Sequence, residues 1–260
     1  AADNDLKAFD RAIWGHVGFV ISNTVRAFVL GLTSGRWTRS PSVGVDKLYY
    51  QQINRLSASF SLTADLCLLI LGGKFKFKEK LSGRFADALA YLFLASMTLR
   101  RFHDDGSRKE DADVMRFAVQ DSLHRVEEAL FEVYRNFPVE ALGPIIARLC
   151  FPWGRVHHHV TDSVGHRISR QLMTQSETRE RLTSDVYKPK QADGVGVVLQ
   201  AFEAVLKAEP AEHAIRNALK SVPNPINVYA LTKRAVAAGV ISEDQASELI
   251  KAQELSAQVI

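Results

Sequence analysis

Residues 49–70, YYQQINRLSASFSLTADLCLLI, decide the fold of this chain, because their apolar positions follow helical spacing throughout. The steps between these positions alternate between four and three residues. That average of about 3.5 lets one α-helix pack along another at a shallow angle. The stretch therefore predicts a long helix with one buried seam, formed by Tyr49, Ile53, Leu56, Phe60, Thr63, Cys67 and Ile70.

Two later stretches repeat this seam, and an earlier one shows a similar apolar stripe. The short connections at Gly72-Gly73 and at residues 103–109 indicate antiparallel neighbours. We predict an all-α fold with an antiparallel four-helix bundle over residues 1–137. Its remaining apolar positions are Leu6, Phe9, Ile13, Val17, Val20 and Thr24, then Leu81, Phe85, Ala88, Leu92, Ala95, Leu99 and Phe102, and last Val119, Leu123, Val126, Leu130, Val133 and Phe137.

After Pro138 the helical pattern breaks into shorter pieces. Prolines and glycines divide residues 138–190, where we expect a crossover with short helices over 141–150 and 163–173. A smaller helical subdomain is predicted over residues 191–260, with helices at 195–208, 211–221, 226–238 and 243–259. The last of these follows Ser242-Glu243-Asp244-Gln245, a capping-box pattern.

Composition limits the class of protein. Hydrophobic residues make up 47% and charged residues 24%, the proportions of a globular protein. Cys67 and Cys150 each lie in an apolar stretch, which favours core thiols in a reducing cytoplasm over a disulfide. The most apolar windows, residues 66–71 and 88–95, are shorter than the roughly 20 residues that cross a bilayer, so no membrane span is predicted. The start of the chain, without Met, suggests a piece of a longer protein.

The basic charge is concentrated between Gly72 and Arg84, where five cations stand against Glu79. A nucleic-acid partner is not expected, because its binding would require positive charge along a whole face. Two phenylalanines alternate with the lysines, which suits contact with an anionic membrane surface. The other interpretation is that the rings cap the bundle while the lysines stay in water. The membrane-surface candidates are Lys74, Phe75, Lys76, Phe77, Lys78 and Lys80.

No segment predicts a catalytic, cofactor-binding or metal site. A dinucleotide loop needs G-x-G-x-x-G between a strand and a helix, and Gly194-Val195-Gly196 is only a fragment of that motif. The side chains of the run 157–159, three histidines, diverge, so a surface loop is expected there. Asp121 and His124 have the spacing of half a di-iron motif without a second copy, which favours a hydrogen-bonding role for His124.

Seven short motifs closely resemble, in order, the region that follows the catalytic core in long bacterial acyl-CoA dehydrogenases of fatty-acid β-oxidation. Together they cover nearly the whole chain, although none of them is catalytic. They are NDLKAFDRA at 4–12, YYQQINRLSA at 49–58, LGG at 71–73, LSGRFAD at 81–87, YLFLAS at 91–96, NFP at 136–138 and FPWGR at 151–155.

The resemblance implies a parent enzyme that uses FAD and a glutamate base to dehydrogenate medium- or long-chain acyl-CoA. That family's base and flavin-contacting motifs lie upstream, so no site residue transfers to this chain, and no FAD is expected in it. By analogy with the extra helical domain of very-long-chain enzymes, the implied partners are the catalytic domain of the same polypeptide, a second copy in a homodimer and the cytoplasmic face of a membrane. The alternative is a free-standing helical lipid-binding or protein-interaction module.

Overall fold

The computed structural model describes residues 6–189, 194–218 and 228–259. These residues form ten α-helices and two short 3₁₀ helices, and no strand occurs among them. The all-α prediction is confirmed. By its contacts the chain divides into two compact units, residues 1–171 and residues 172–260.

The helices follow one another with short connections. The 3₁₀ helices are Gly72–Phe77 and Lys109–Asp111. The α-helices are α1 (Leu6–Leu32), α2 (Lys47–Leu71), α3 (Glu79–Asp104), α4 (Ala112–Arg135), α5 (Leu142–Cys150), α6 (Asp162–Leu172), α7 (Glu177–Leu182), α8 (Val195–Ala218), α9 (Val228–Ala237) and α10 (Glu243–Val259).

The core of the first unit lies where α2, α3 and α4 pack together. The seven positions predicted for the α3 seam are the seven that the structure buries in that helix. All six predicted positions from Val119 to Phe137 are buried as well. Each buried leucine of this kind stabilises the fold by about 1.5–3 kcal/mol, so these seams hold the unit together.

Helix α2 buries a broader and more polar face than its seam predicts. Gln51, Gln52, Arg55 and Ser59 are all buried, whereas Ile70 is 39% exposed. The reason is position, since α2 packs against α1, α3 and α4 at once and has little free surface. A central helix with polar buried residues must satisfy their hydrogen bonds internally.

Helix α1 forms as predicted, but its apolar stripe is not buried. Phe9, Ile13 and Val17 are 62%, 45% and 38% exposed. Only the last turns pack closely against α2 and α5, and there Gly31 is so near α5 that a Cβ would lie 2.6 Å from the Cys150 carbonyl oxygen. The stripe faces outward because no described element of this unit covers the first half of the helix.

The second unit is built around α8, α9 and α10. Where two helices were predicted over 195–221, the structure has a single helix, α8, that continues through Pro210. Packing of Ala211 and Ile215 against Ala235 and Ile241 holds the turn after the proline in place. The predicted end of the 211–221 helix and start of the 226–238 helix lie outside the described residues.

The capping box of α10 is confirmed. The Ser242 amide donates to the Gln245 side chain at 2.9 Å, and the Gln245 amide donates to the Ser242 hydroxyl at 3.2 Å. Before it, Gly239 has φ +68°, and its left-handed conformation closes α9. Helix α7 was not predicted. Its N-cap is Ser176, whose hydroxyl accepts a hydrogen bond from the Arg179 amide.

Candidate functional site

The basic corner, Lys74, Phe75, Lys76, Phe77, Lys78 and Lys80, lies where the 3₁₀ helix Gly72–Phe77 joins α2 to α3. All four of its lysines are exposed. Phe77 is 73% exposed, and the Lys76 ammonium lies 4.9 Å from the centre of its ring. The corner therefore presents cations around one outward-facing aromatic ring.

Phe75 does not share this outward position. Its ring packs edge-on against Phe85 at 5.7 Å between centroids, and Phe85 packs in the same way against Phe60. The structure thus separates the two phenylalanines. Phe75 closes the end of the bundle, and Phe77 alone is available to a partner.

A cleft of about 600 Å³ adjoins the basic corner. Phe77, Lys78, Lys80 and Arg84 line it together with the turn after α4. Arg84 lies 3.8 Å from the Glu132 carboxylate, a half-exposed pair that is worth little to stability. The lining combines apolar side chains with three cations and one acid, Glu79, so the cleft has a net positive charge.

The exposed half of α1 points toward the same end of the bundle. Asn23 donates a 2.8 Å hydrogen bond to Asp65, and the turn after α1 contacts the start of α2 where the Gln52 side chain donates to the Ser34 carbonyl, so α1 is antiparallel to α2. Residues before Asn23 therefore run toward the end of α2 at which the basic corner lies. Over this half of α1 the structure exposes large apolar side chains, namely Phe9, Ile13, Trp14, Val17, Phe19 and Ile21.

Two helical runs, Ala8–Leu32 and Lys47–Phe77, are long and apolar enough to cross a membrane by length and composition alone. The first is only 11% buried over its most apolar window, and the second is 33% buried. Core helices of soluble proteins meet the same criterion, so it does not decide whether either run enters a bilayer.

A buried ion pair between Arg55 of α2 and Glu127 of α4 is the site that the sequence did not predict. The two side chains are 3% and 0% exposed, and an Arg55 Nη lies 2.6 Å from a Glu127 oxygen. The other Glu127 oxygen accepts from the amides of Val156 and His157, both at 3.0 Å. The carboxylate is therefore fully occupied by cationic and amide donors.

The network extends from Arg55 to the turn after α1. Arg55 Nε donates to the Gln52 side-chain oxygen at 2.9 Å, and the side-chain nitrogen of Gln52 donates to the Ser34 carbonyl at 2.8 Å. The guanidinium also lies 5.1 Å from the Phe151 ring centre. These contacts tie together α2, α4, the turn after α1 and the segment after α5, and we call them the buried clamp.

Residues 157–159 lie in a loop in which His158 and His159 are exposed, and only His157 departs from the expected surface position. His157 has a side chain only 14% exposed, and burial lowers its pKa from 6.5 to about 4, so it is neutral near pH 7. Nδ1 of His124 lies 3.0 Å from the His157 carbonyl, and its ring lies 4.0 Å from that of His159. His124 thus has the hydrogen-bonding role that the sequence favoured. Within the described ranges, no group of three potential ligands could hold a metal.

The buried clamp is suited to structure and not to proton transfer. A general base needs a free oxygen within reach of a substrate proton, whereas both Glu127 oxygens already accept hydrogen bonds. One signal in the sequence was usable, because Arg55 and Glu127 each lie directly beside a seam residue, Leu56 and Val126.

The family model described as acyl-CoA dehydrogenase, C-terminal, bacterial type, matches residues 1–260. No solved structure matches the chain at a significant level.

Proposed function

Because the chain belongs to the bacterial-type C-terminal family of acyl-CoA dehydrogenases, we propose that it is the accessory domain of a longer FAD-dependent enzyme. That enzyme removes hydrogens from the α and β carbons of medium- or long-chain acyl-CoA. In this proposal the base and the flavin contacts belong to the catalytic domain. The occupied state of Glu127 supports the assignment, since the most deeply buried carboxylate described here is already held by the clamp.

The exposed apolar half of α1 is the observation that carries this proposal. A helix with aromatic and branched side chains all round is normally covered by protein or lipid. Trp14 is 73% exposed, and Phe19, which is five residues further along and therefore on another side of the helix, is 53% exposed. We propose that the catalytic domain of the same polypeptide covers this surface and that α1 is the principal docking element.

Docking can be tested with the catalytic domain and the 260-residue chain expressed as separate polypeptides. Their association is then measured by calorimetry. We expect Ile21→Glu to weaken association at least tenfold, because it places a charge in the apolar contact. Ile145→Glu on α5 is the matched control, since Ile145 is 59% exposed, as Ile21 is. Equal affinity for the wild type and both variants, or no association at all, would refute docking through α1.

A role at a membrane surface is the second function that we propose, and the basic corner supports it. Phe77 with Lys74, Lys76, Lys78 and Lys80 would meet anionic headgroups, while the exposed half of α1 lies toward the same end. Cations near an anionic surface each contribute about 1 kcal/mol, and salt weakens this attraction. The corner would hold the enzyme at the cytoplasmic face.

The membrane test is co-sedimentation with vesicles that contain anionic phospholipid. We expect the triple variant Lys74→Glu, Lys76→Glu, Lys78→Glu to bind much more weakly than the wild type, with the largest difference at low salt. The control changes three exposed lysines of the second unit to glutamate, Lys207, Lys233 and Lys251, and alters the net charge by the same amount. If both triple variants lost vesicle binding equally, net charge alone would explain the loss, and a specific role for the basic corner would be rejected.

A further inference from the structure

We propose that the cleft beside the basic corner binds a phosphate monoester, with Arg84 as its main contact and Lys78 and Lys80 beside it. The cleft of about 600 Å³ has room for this group and for part of the molecule that carries it. This inference goes beyond the accessory and membrane roles, because it gives the cleft a ligand of its own. Arg84 is not part of the basic corner, so the site and the membrane role are tested with different variants.

The side chain of Arg84 is the feature that points to an anionic ligand. It lines the cleft and is only 26% exposed. Its ion-pair partner, a Glu132 oxygen, lies 3.8 Å from Nη2, which is beyond hydrogen-bond distance. Among the described residues no acceptor takes up the N–H groups of this guanidinium. Because these donors form a planar fork, they match two oxygens of a phosphate group.

Glu132 does not neutralise Arg84, because a second arginine shares this carboxylate. Arg135 donates to the other Glu132 oxygen at 3.2 Å, which is closer than the contact with Arg84. One acid therefore faces two guanidinium groups, and the three side chains together keep a positive charge. That charge lies on the side of Arg84, which has the longer contact.

The two lysines of the lining strengthen this positive charge. Lys80 and Arg84 lie one turn apart on α3, and like charges at this spacing destabilise a helix. No described residue forms an ion pair with Lys78 or Lys80. Since Glu79 is the one acid named in the lining, three cations face a single carboxylate there. An anion bound between Lys80 and Arg84 would relieve their repulsion.

Charge favours a phosphate monoester over other common anions. Near pH 7 a monoester carries a charge of about −1.5 to −2 and offers three acceptor oxygens. A phosphate diester or a carboxylate carries a single negative charge and has fewer free oxygens. Three cations around one cleft therefore match the monoester better. Soluble phosphate esters and the headgroup of phosphatidic acid both contain this group, so the test includes both sources.

The site can be tested by calorimetric titration of the 260-residue chain with methyl phosphate and with dimethyl phosphate. We expect the monoester to bind more tightly than the diester. Arg84→Gln should weaken binding of methyl phosphate by about tenfold, because it removes charged hydrogen bonds, and Lys80→Gln should weaken it as well. Arg100→Gln is the matched control, since Arg100 lies near the other end of α3 and pairs with Asp104. Equal affinity for the two esters, or equal losses in the Arg84 and Arg100 variants, would overturn the proposal.

Vesicle binding distinguishes a lipid headgroup from a soluble ester. Vesicles that contain phosphatidic acid are compared with vesicles that contain phosphatidylglycerol, a diester, at matched surface charge. A preference for phosphatidic acid that Arg84→Gln abolishes would assign the site to a lipid headgroup, and binding of methyl phosphate without this preference would assign it to a soluble ester. If the chain showed neither, the proposal would be overturned, while equal binding to both anionic vesicles would still agree with the membrane role of the basic corner.

Discussion

Arg55 and Glu127 illustrate what a buried charge requires of its neighbours. The pair is almost free of solvent, so removing one partner leaves the other charge without compensation. We expect Arg55→Ala to lower the free energy of unfolding by about 3–5 kcal/mol, measured by urea denaturation. Arg135→Ala is the control, because the exposed pair of Arg135 with Glu132 should contribute less than about 1 kcal/mol. Equal losses in the two variants would contradict a buried clamp.

His157 should make the stability of the first unit depend on pH. Burial lowers its pKa from 6.5 to about 4, so the folded state keeps the ring neutral while the unfolded state takes up a proton. The contribution of the neutral His157 ring to the free energy of unfolding is complete above about pH 6.5. It is lost as the pH falls toward 4. It amounts to at most about 3 kcal/mol.

The measurement compares urea denaturation of the wild type with that of His157→Gln across this pH range. The variant cannot take up a proton at this position. The difference in free energy of unfolding between the wild type and the variant should therefore shrink or reverse as the pH falls. A difference that stays constant from pH 7 to pH 4 would show that His157 does not titrate on unfolding.

Little of the buried clamp could be predicted residue by residue. Charged residues beside an apolar seam usually lie in water, and sequence spacing does not reveal that α2 is surrounded by three helices. Only the fold brings Arg55 next to Glu127 and directs the amides of Val156 and His157 toward the same carboxylate. The basic corner was visible in the sequence, which left open whether its phenylalanines face a membrane or cap the bundle. The structure divides them, since Phe75 packs on Phe85 and Phe77 is exposed.

At the scale of elements, the contact between α4 and α5 depends on a glycine. A Cβ at Gly143 would collide with the Tyr134 carbonyl oxygen, which is part of the backbone and cannot rotate away. We expect Gly143→Ala to destabilise the protein by about 1–3 kcal/mol, measured by thermal or urea unfolding.

Gly165 provides the matched control for this prediction. It lies in α6, and a Cβ added at this position would have no other heavy atom of the packed structure within 4 Å. Gly165→Ala should therefore stabilise the helix by about 0.5–1 kcal/mol. Opposite signs for the two substitutions would support the close approach of α5 to α4. A neutral or stabilising Gly143→Ala would contradict it.

Helices with one buried seam were predictable, whereas helices that depend on their surroundings were not. The seam of α3 follows from spacing alone, because that helix buries a single stripe. Helix α4 also buries its predicted seam, together with positions beside it such as His124 and Glu127. The continuation of α8 through Pro210 reflects tertiary packing that offsets a local breaker. The exposed stripe of α1 was unpredictable because periodicity shows which residues share a face but not what covers that face.

At the scale of the whole molecule, the first unit combines a closed core with open surfaces. The polar groups of the clamp are satisfied internally, whereas large apolar side chains of α1, such as Trp14 and Ile21, and of α3, such as Leu89 and Phe93, are exposed. Such a division suits a scaffold that assembles with other protein and leaves the redox chemistry to another domain.

The visible absorbance spectrum of the purified 260-residue chain, incubated with excess FAD and then desalted, tests this account most directly. We expect no retained flavin band and no spectral change when acyl-CoA is added, since no described carboxylate of the clamp is free to act as a base. A retained stoichiometric flavin that acyl-CoA bleaches would contradict the account.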